Sequence, residues 1–251
     1  MFRAAYWTET VRVMRTTFDT ELGELITDLA NMIRLTGQMM TNAAIALHQA
    51  DLVLAGVVIA KCDQMTASLD NMEQRCVVLL ARQAAVAADL RAVVAAVHVL
   101  SHVKRMADLA RHIAIVPRLK HPNPMISSPV RPVLARMSLL ASQLAEDAAT
   151  TIEYRDPLSG DRLAEADEEV DTLRRHLFGI LFADDWSHGV EPAVDAALIS
   201  RYYERFADYA VAIARQVGCL AIDGIAEPDT LGRRSAASPS PPDEPDESVA
   251  G

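Results

Sequence analysis

Two pairs of carboxylates at helical spacing are the residues of this 251-residue chain best suited to chemistry. Asp167 and Asp171 lie four positions apart, and Glu204 and Asp208 repeat that spacing. Residues four apart project from one face of a helix, so each pair holds its carboxylates about one turn from each other. If the two helices pack as antiparallel neighbours, the four carboxylates form an oxygen-rich patch that suits a hard cation, iron or manganese.

Arginines near these acids support a second interpretation. Arg174, Arg201 and Arg205 would neutralise the carboxylates as surface ion pairs, because acidic residues commonly occupy solvated helix faces. For a single pair of acids, ion pairing is the better interpretation. The repetition of the spacing strengthens the metal-site interpretation, but ion pairing stays the better one. A metal site and a set of ion pairs both remain open.

The stretch that holds the second pair has a counterpart 100 positions upstream. Residues 204–208 read E-R-F-A-D, residues 104–108 read K-R-M-A-D, and apolar and small residues around both stretches match at the same offset. A second match joins residues 69–72 to residues 170–173. Such internal similarity indicates a duplicated helical unit, here with two acid-bearing helices in each half.

The first half carries an incomplete set of these acids. Asp70 and Asp108 occupy the corresponding positions, but Thr66 and Lys104 replace the other two acids. A lysine repels a cation and pairs with an acid instead, so any metal site here should be weaker or absent.

Three histidines lie on one broad stripe of the third helix that we predict, namely His98, His102 and His112. The first two have the spacing of metal ligands. Such a pair is more often hydrogen-bonded or solvated than part of a ligand set, so metal binding at these histidines is the weaker hypothesis.

The composition predicts an all-α protein. Apolar residues make up 51% of the chain and aromatic residues only 5%, a bias toward helix and away from sheet. A net charge of −10 argues against a nucleic-acid binder, which needs a concentrated basic surface. Three cysteines form an odd count, which we interpret as reduced, buried thiols in a cytosolic protein.

Apolar periodicity and turn signals divide each half into three helices. Asp51 is the expected N-cap of the second helix, and Pro117 is expected to stop the third. The predicted helices are about Phe18 to Gln49, Asp51 to Arg82, Val86 to Pro117, Pro132 to Tyr154, Asp161 to Phe182 and Glu191 to Asp223. The predicted organisation is an irregular extension over 1–17, a three-helix bundle over 18–118, a Pro-rich linker over 119–131, a second three-helix bundle over 132–226 and a disordered acidic tail over 227–251.

No segment is expected to insert into a membrane. Charged residues interrupt the longest apolar stretches before they reach the roughly 18 to 20 residues that a span requires. Charges within residues 1–14 also argue against a secretory signal.

Catalytic motifs are absent from the sequence. No histidine follows a glutamate by three positions, as a ferritin-like di-metal oxidase would require. Phosphate-binding loops, nucleophile elbows and Cys-x-x-Cys pairs are also missing. We therefore expect a protein that is not an enzyme.

Motifs in the third helix of each half resemble the PhoU family, the regulators of bacterial phosphate-specific transport, in its actinobacterial type. Residues 88–91 read A-D-L-R and precede the K-R-M-A-D stretch, as in the family's third helix. Residues 203–214 resemble the family pattern E-R-x-x-D-H-x-x-N-I, with Tyr209 in place of its histidine and Ala212 in place of its asparagine. The resemblance extends over about Phe18 to Ile222.

This resemblance implies two three-helix bundles in a cytoplasmic, non-catalytic protein peripheral to the inner face of the membrane. Family members bind iron or another divalent metal cluster at paired acids, and keep the phosphate regulon off when phosphate is plentiful. Their partners are the ATPase subunit of the phosphate importer and a phosphate-sensing histidine kinase. Apolar helix faces also suggest a homodimer. The metal positions carry over as Asp167, Asp171, Glu204 and Asp208, and in the first half as Asp70 and Asp108.

Two alternatives to a regulator stay open from the sequence. One is a carboxylate-bridged metalloenzyme, which would carry stoichiometric metal and a turnover. The other is a metal-free helical scaffold that assembles through its Ala- and Met-rich faces.

Overall fold

The structure is a computed structural model that describes residues 2–82, 87–122, 126–156 and 159–220. Within these ranges the regular structure is helical, without strands, which confirms the prediction of an all-α fold. Six long helices are followed by one short turn of helix. They are α1 (Phe2–Gln49), α2 (Leu52–Arg82), α3 (Ala87–Lys120), α4 (Arg131–Tyr154), α5 (Ser159–Leu181), α6 (Val190–Arg215) and α7 (Val217–Leu220).

The first helix begins at Phe2, so the expectation of an irregular extension over 1–17 is wrong for residues 2–17. The charged residues of this segment interrupt an apolar run, but charges do not break a helix. Residues 2–22 contain neither proline nor glycine, the two residues that most strongly disfavour helix. The predicted acidic tail, 227–251, lies outside the described residues.

The boundary between α1 and α2 follows the sequence prediction. Ala50 adopts a positive φ of 55°, which ends α1. The Oδ1 atom of Asp51 then accepts hydrogen bonds from the backbone N–H groups of Val53 at 3.0 Å and Leu54 at 2.9 Å. Asp51 is thus the N-cap of α2, as predicted.

Two predicted helix ends are corrected. Pro117 lies inside α3, which continues to Lys120, because a proline in the last turn removes only one donor and the chain can complete that turn. In the second half, α6 ends at Arg215 rather than near Asp223. Gln216 separates α6 from the short α7.

Helices α1 to α3 pack as one bundle and α4 to α6 as another, with α1 against α4 and α3 against α6. Buried apolar residues from both bundles form a single hydrophobic cluster. The two bundles therefore share one core.

Helices α1 and α4 approach most closely at Gly37. A Cβ atom at this position would lie 3.0 Å from the Cβ atom of Ala145, so a side chain there would need its neighbour to shift. One turn further along α1, the hydroxyl of Thr41 donates a 3.0 Å hydrogen bond to Ser142. Arg34 extends the contact through ion pairs with α4, to Glu146 and Glu153.

Helices α3 and α6 meet through two pairs of rings. His102 contacts Tyr209 with 5.5 Å between ring centroids, and His112 contacts Tyr202 at 5.2 Å. The residue numbers increase along α3 while they decrease along α6, so the two helices run antiparallel. At the end of this contact, Lys120 pairs with Asp195 and Glu191.

Among the described helices, α2 has the length and apolar composition of a membrane span over Leu52–Ala81, with a mean hydropathy of 1.4. This differs from the sequence expectation, which considered only uninterrupted apolar runs. In the structure α2 packs against α1 and α3 as part of the first bundle.

Candidate acidic site between helices five and six

The four acids of the second half lie at the contact between α5 and α6, as the spacing predicted. Asp167 and Asp171 project from α5, and Glu204 and Asp208 project from α6. Glu204 is buried with 9% of its surface exposed, Asp167 and Asp208 are half-buried, and Asp171 is exposed. The helix contact beneath them is apolar and includes Val170, whose side chain is fully buried.

Burial and neighbouring acids raise the pKa of two of these carboxylates. Burial, followed by the charges of Asp208, Asp171 and Glu204, raises the pKa of Asp167 from 3.8 to about 6. Burial and the charge of Glu204 also raise the pKa of Asp208. Besides burial, both shifts arise because each aspartate lies near acids of the neighbouring helix as well as of its own.

Three arginines occupy the same site. The Nη1 atom of Arg201 donates a 2.5 Å hydrogen bond to Oε1 of Glu204. From α5, the Nε atom of Arg174 lies 3.1 Å from Oε2 of Glu204, an ion-pair distance without hydrogen-bond geometry. Arg205 pairs with Asp208 at 3.4 Å. Both oxygens of the buried glutamate thus face guanidinium groups.

Aromatic rings hold two of these arginines in place. The guanidinium carbon of Arg174 lies 5.2 Å from the ring centroid of Phe178, and that of Arg205 lies 5.1 Å from the ring of Tyr209. Arg205 also donates a 3.1 Å hydrogen bond to the Tyr209 hydroxyl. Stacking on a ring restricts a long side chain, so these cations are positioned and not merely nearby.

As arranged, the site does not fit a metal ion. A metal needs several oxygen or nitrogen donors directed at one point, and the described residues contain no group of three or more His, Cys, Asp or Glu side chains that could hold one. The oxygens of Glu204 are directed at arginines instead. Metal binding at these acids stays a prediction from the sequence.

The first half pairs its acids with basic residues of α3. Lys104 lies 3.1 Å from Asp70 on α2, the pairing that the sequence led us to expect. Asp108 lies 3.9 Å from Arg105 on its own helix. Arg111 bonds to a further acid of α2, Asp63, at 2.7 Å.

The histidines of α3 contribute to the contact between the bundles. His102 and His112 stack on tyrosines of α6, and burial lowers the pKa of His102, an effect that nearby His98 reinforces. The stacking of Tyr202 on His112 and of aromatic rings on the arginines was not predicted from the sequence. A ring four positions after an arginine, as in Arg174 and Phe178, is the signal that could have shown the stacking.

The two described cysteines are buried, as the sequence predicted. Cys62 and Cys76 are buried free thiols, and burial raises the pKa of each to about 11. A buried thiol with a raised pKa is a poor nucleophile, so neither residue suggests catalysis.

The tandem three-helix bundles, with paired acids at the contact of the second and third helix, define the class to which the chain belongs. The family model of the PhoU domain matches residues 29–116 and 134–217, one match in each bundle. The chain is therefore a member of the PhoU family, and the two matches confirm the predicted duplication.

Relatives from mycobacteria place the chain within this family. It is 40% identical to the phosphate-specific transport system accessory protein PhoU homolog 1 of Mycobacterium leprae, over 87% of this chain and 98% of the relative. It is 42% identical to PhoU homolog 2 of Mycobacterium tuberculosis, over 81% of this chain and 96% of the relative. These similarities agree with the actinobacterial type that the sequence suggested.

Solved structures share the fold. The crystal structure of PhoU from Pseudomonas aeruginosa matches with a TM-score of 0.73 at 24% identity, over 81% of this chain and 98% of the other. The phosphate transport system regulatory protein PhoU from Streptococcus pneumoniae matches with a TM-score of 0.72, also at 24% identity. At this level of identity, these two comparisons concern the fold alone.

Proposed function

We propose that this protein is a negative regulator of the phosphate regulon, which couples the state of the phosphate ABC importer to a sensor histidine kinase and modulates phosphate uptake. The observation that carries the proposal is the family match over both bundles, together with close relatives named as accessory proteins of phosphate-specific transport. The proposed partners are the ATPase subunit of the importer and a phosphate-sensing kinase. The proposed location is the cytoplasm, against the inner face of the membrane.

The shared core of the two bundles supports a coupling role. Helix α1 packs against α4, α3 packs against α6, and the buried residues form one cluster. Close-packed interiors transmit displacement because they have few voids to absorb it. A partner bound to one bundle can thus change the surface of the other bundle. This change would alter the populations of the kinase and phosphatase conformations of the bound sensor kinase.

Exposed apolar side chains near the contact of α3 and α6 also support partner binding. Val190, Val194 and Leu198 lie four positions apart on α6, and all three are exposed. Leu119 of α3 is 76% exposed and lines a groove of about 280 Å³ together with Leu198. Exposed apolar patches commonly mark protein interfaces. We propose this surface as the contact for the importer's ATPase subunit.

A gene-deletion experiment tests the function. Removal of the gene, and of any paralogue, should derepress phosphate-starvation genes in phosphate-rich medium, and a plasmid copy of the gene should restore repression. Transcript levels of the importer genes provide the measurement. Unchanged expression in the deletion strain would contradict the proposal.

Co-purification tests the partners and the surface. Tagged protein should retain the importer ATPase and the kinase from cell extract, whereas a helical scaffold without partners should retain neither. The double variant Val194→Glu, Leu198→Glu should lose the ATPase, because burying the new charges at an interface is unfavourable. Leu139→Glu, at an exposed apolar position of α4, is the matched control and should retain it. Light scattering of the purified protein would test the predicted homodimer.

A further inference from the structure

We propose that arginine side chains take the place of a metal ion at the acidic site between α5 and α6, so that this site is complete without metal. The proposal concerns Arg174, Arg201 and Arg205. It is independent of the regulatory function proposed above.

Glu204 is neutralised from both helices. Arg201 reaches Oε1 from the preceding turn of α6, and Arg174 reaches Oε2 from α5. Glu204 is the most buried of the four acids, so it would be the costliest to leave unpaired. The contact between Arg174 and Glu204 also joins the two helices, a role that a bridging metal would otherwise fill.

Arginine charges act on three of the four acids without an added cation. Arg174 and Arg201 pair with Glu204, and Arg205 pairs with Asp208. Arg215 adds a favourable charge that acts on Asp167. A divalent cation entering this site would meet repulsion from the arginines and would need to displace Arg174 or Arg201 from Glu204. Displacing Arg174 would also break its contact with the ring of Phe178.

The first bundle also joins its middle and third helices by an ion pair, but there the acid lies on the middle helix and the base on the third. Position 104, which corresponds to position 204, holds a lysine that pairs with Asp70 of the middle helix. In the second bundle, position 204 holds the acid, and the middle helix supplies the base, Arg174. In both bundles, an ion pair from position 104 or 204 joins the third helix to the middle helix, and Arg174 lies three positions beyond Asp171, the counterpart of Asp70.

Removal of the arginines should create the metal site that they now occupy. We compare the full-length wild type with the double variant Arg174→Met, Arg201→Met, which keeps the apolar stems and removes the charges. Isothermal titration with Mn²⁺, after dialysis against chelator, measures binding. The wild type should show no saturable binding, whereas the variant should bind Mn²⁺ saturably, because Glu204 and its neighbouring acids are freed.

Matched controls make the result specific. Arg175→Met removes a neighbouring arginine of α5 that pairs with Glu168 instead, so it should bind Mn²⁺ no better than the wild type. If the double variant fails to fold by circular dichroism, Arg201→Met alone keeps the contact of Arg174 with Phe178 and is used instead, with a smaller gain expected. Stoichiometric metal in freshly purified wild type, saturable Mn²⁺ binding by the wild type, or no gain in the folded variant would each overturn the proposal.

Discussion

At the scale of single residues, burial determines the chemistry of the acidic site. Glu204 is nearly covered by the contact of α5 and α6, and a buried carboxylate requires a partner. Arg174 and Arg201 meet that requirement within the chain. Asp167 has no comparable partner in the described part of the site, and its pKa is raised to about 6 by burial and by the neighbouring acids.

This raised pKa predicts how stability depends on pH at Asp167. The folded state holds the proton more tightly than the unfolded state, so stability falls as pH rises from about 4 to about 6 and the penalty persists above that. Asp167→Asn should therefore be more stable than the wild type at pH 8, by about 1 kcal/mol after solvent screening of this half-exposed group, and similar at pH 4. Urea unfolding at the two pH values measures the difference.

The control for this prediction is Glu168→Gln, at an exposed neighbouring position. Glu168 pairs with Arg175, so its neutralisation should not stabilise the protein at pH 8. Both proteins are measured in the presence of chelator. If Asp167→Asn is less stable than the wild type at pH 8, the ionised carboxylate stabilises the folded protein and the prediction is wrong.

A second prediction at this scale concerns the N-cap of α2. Asp51→Ala removes the acceptor of the Val53 and Leu54 backbone N–H groups and should lower the free energy of unfolding by about 1 kcal/mol. Asp70→Ala removes only an exposed ion pair with Lys104 and should cost less, about 0.5 kcal/mol or below. Equal losses in thermal or urea unfolding would contradict the assigned cap.

At the scale of helices, close approach between α1 and α4 is a defining contact of the molecule. Glycine at position 37 leaves room for Ala145, and the polar pair Thr41 and Ser142 follows directly. The N-terminal part of α1 precedes this contact. It extends to Phe2, and residues 2–22 contain neither proline nor glycine.

The glycine contact predicts a position-dependent effect of the same substitution. Gly37→Leu should separate α1 from α4 and destabilise the protein by about 2 kcal/mol through overpacking. Gly23→Leu, in the same helix with nothing within 4 Å of its Cβ position, should be neutral or stabilising because leucine has the higher helix propensity. Thermal unfolding of both variants makes the comparison, and a loss of similar size at position 23 would argue against the packing explanation.

At the scale of the whole molecule, the two similar bundles share one hydrophobic core. Their helices share one hydrophobic cluster, and the α1–α4 and α3–α6 contacts continue the core across the boundary. This continuity distinguishes the protein from two independent domains on a linker, for which few contacts would cross.

A continuous core predicts a single cooperative unfolding transition. Differential scanning calorimetry should show one peak, and core truncations in either bundle, Ile33→Ala or Ile213→Ala, should move that whole peak to lower temperature. Two peaks, with each substitution affecting only one, would mean that the bundles unfold separately.

Much of this protein can be predicted from its sequence, because the deciding signals are local. The 3.6-residue period, the Asp51 cap and the 100-residue repeat depend on neighbours along the chain, and they predicted six long helices in two bundles and four acids on facing positions. The helix end at Pro117 was wrong because a proline in the last turn of a helix removes only one backbone donor. The end near Asp223 was also wrong, since α6 ends at Arg215.

What the sequence determined alone is thus the helical repeat and the helical spacing of two acid pairs, Asp167 with Asp171 and Glu204 with Asp208. Only the tertiary structure decided which groups those acids face. Arginines and acids at these spacings are equally compatible with surface pairs and with metal ligands, and the structure places Glu204 in a buried position between Arg174 and Arg201. Burial and partner direction arise from helix packing in three dimensions, and spacing along a chain does not contain them.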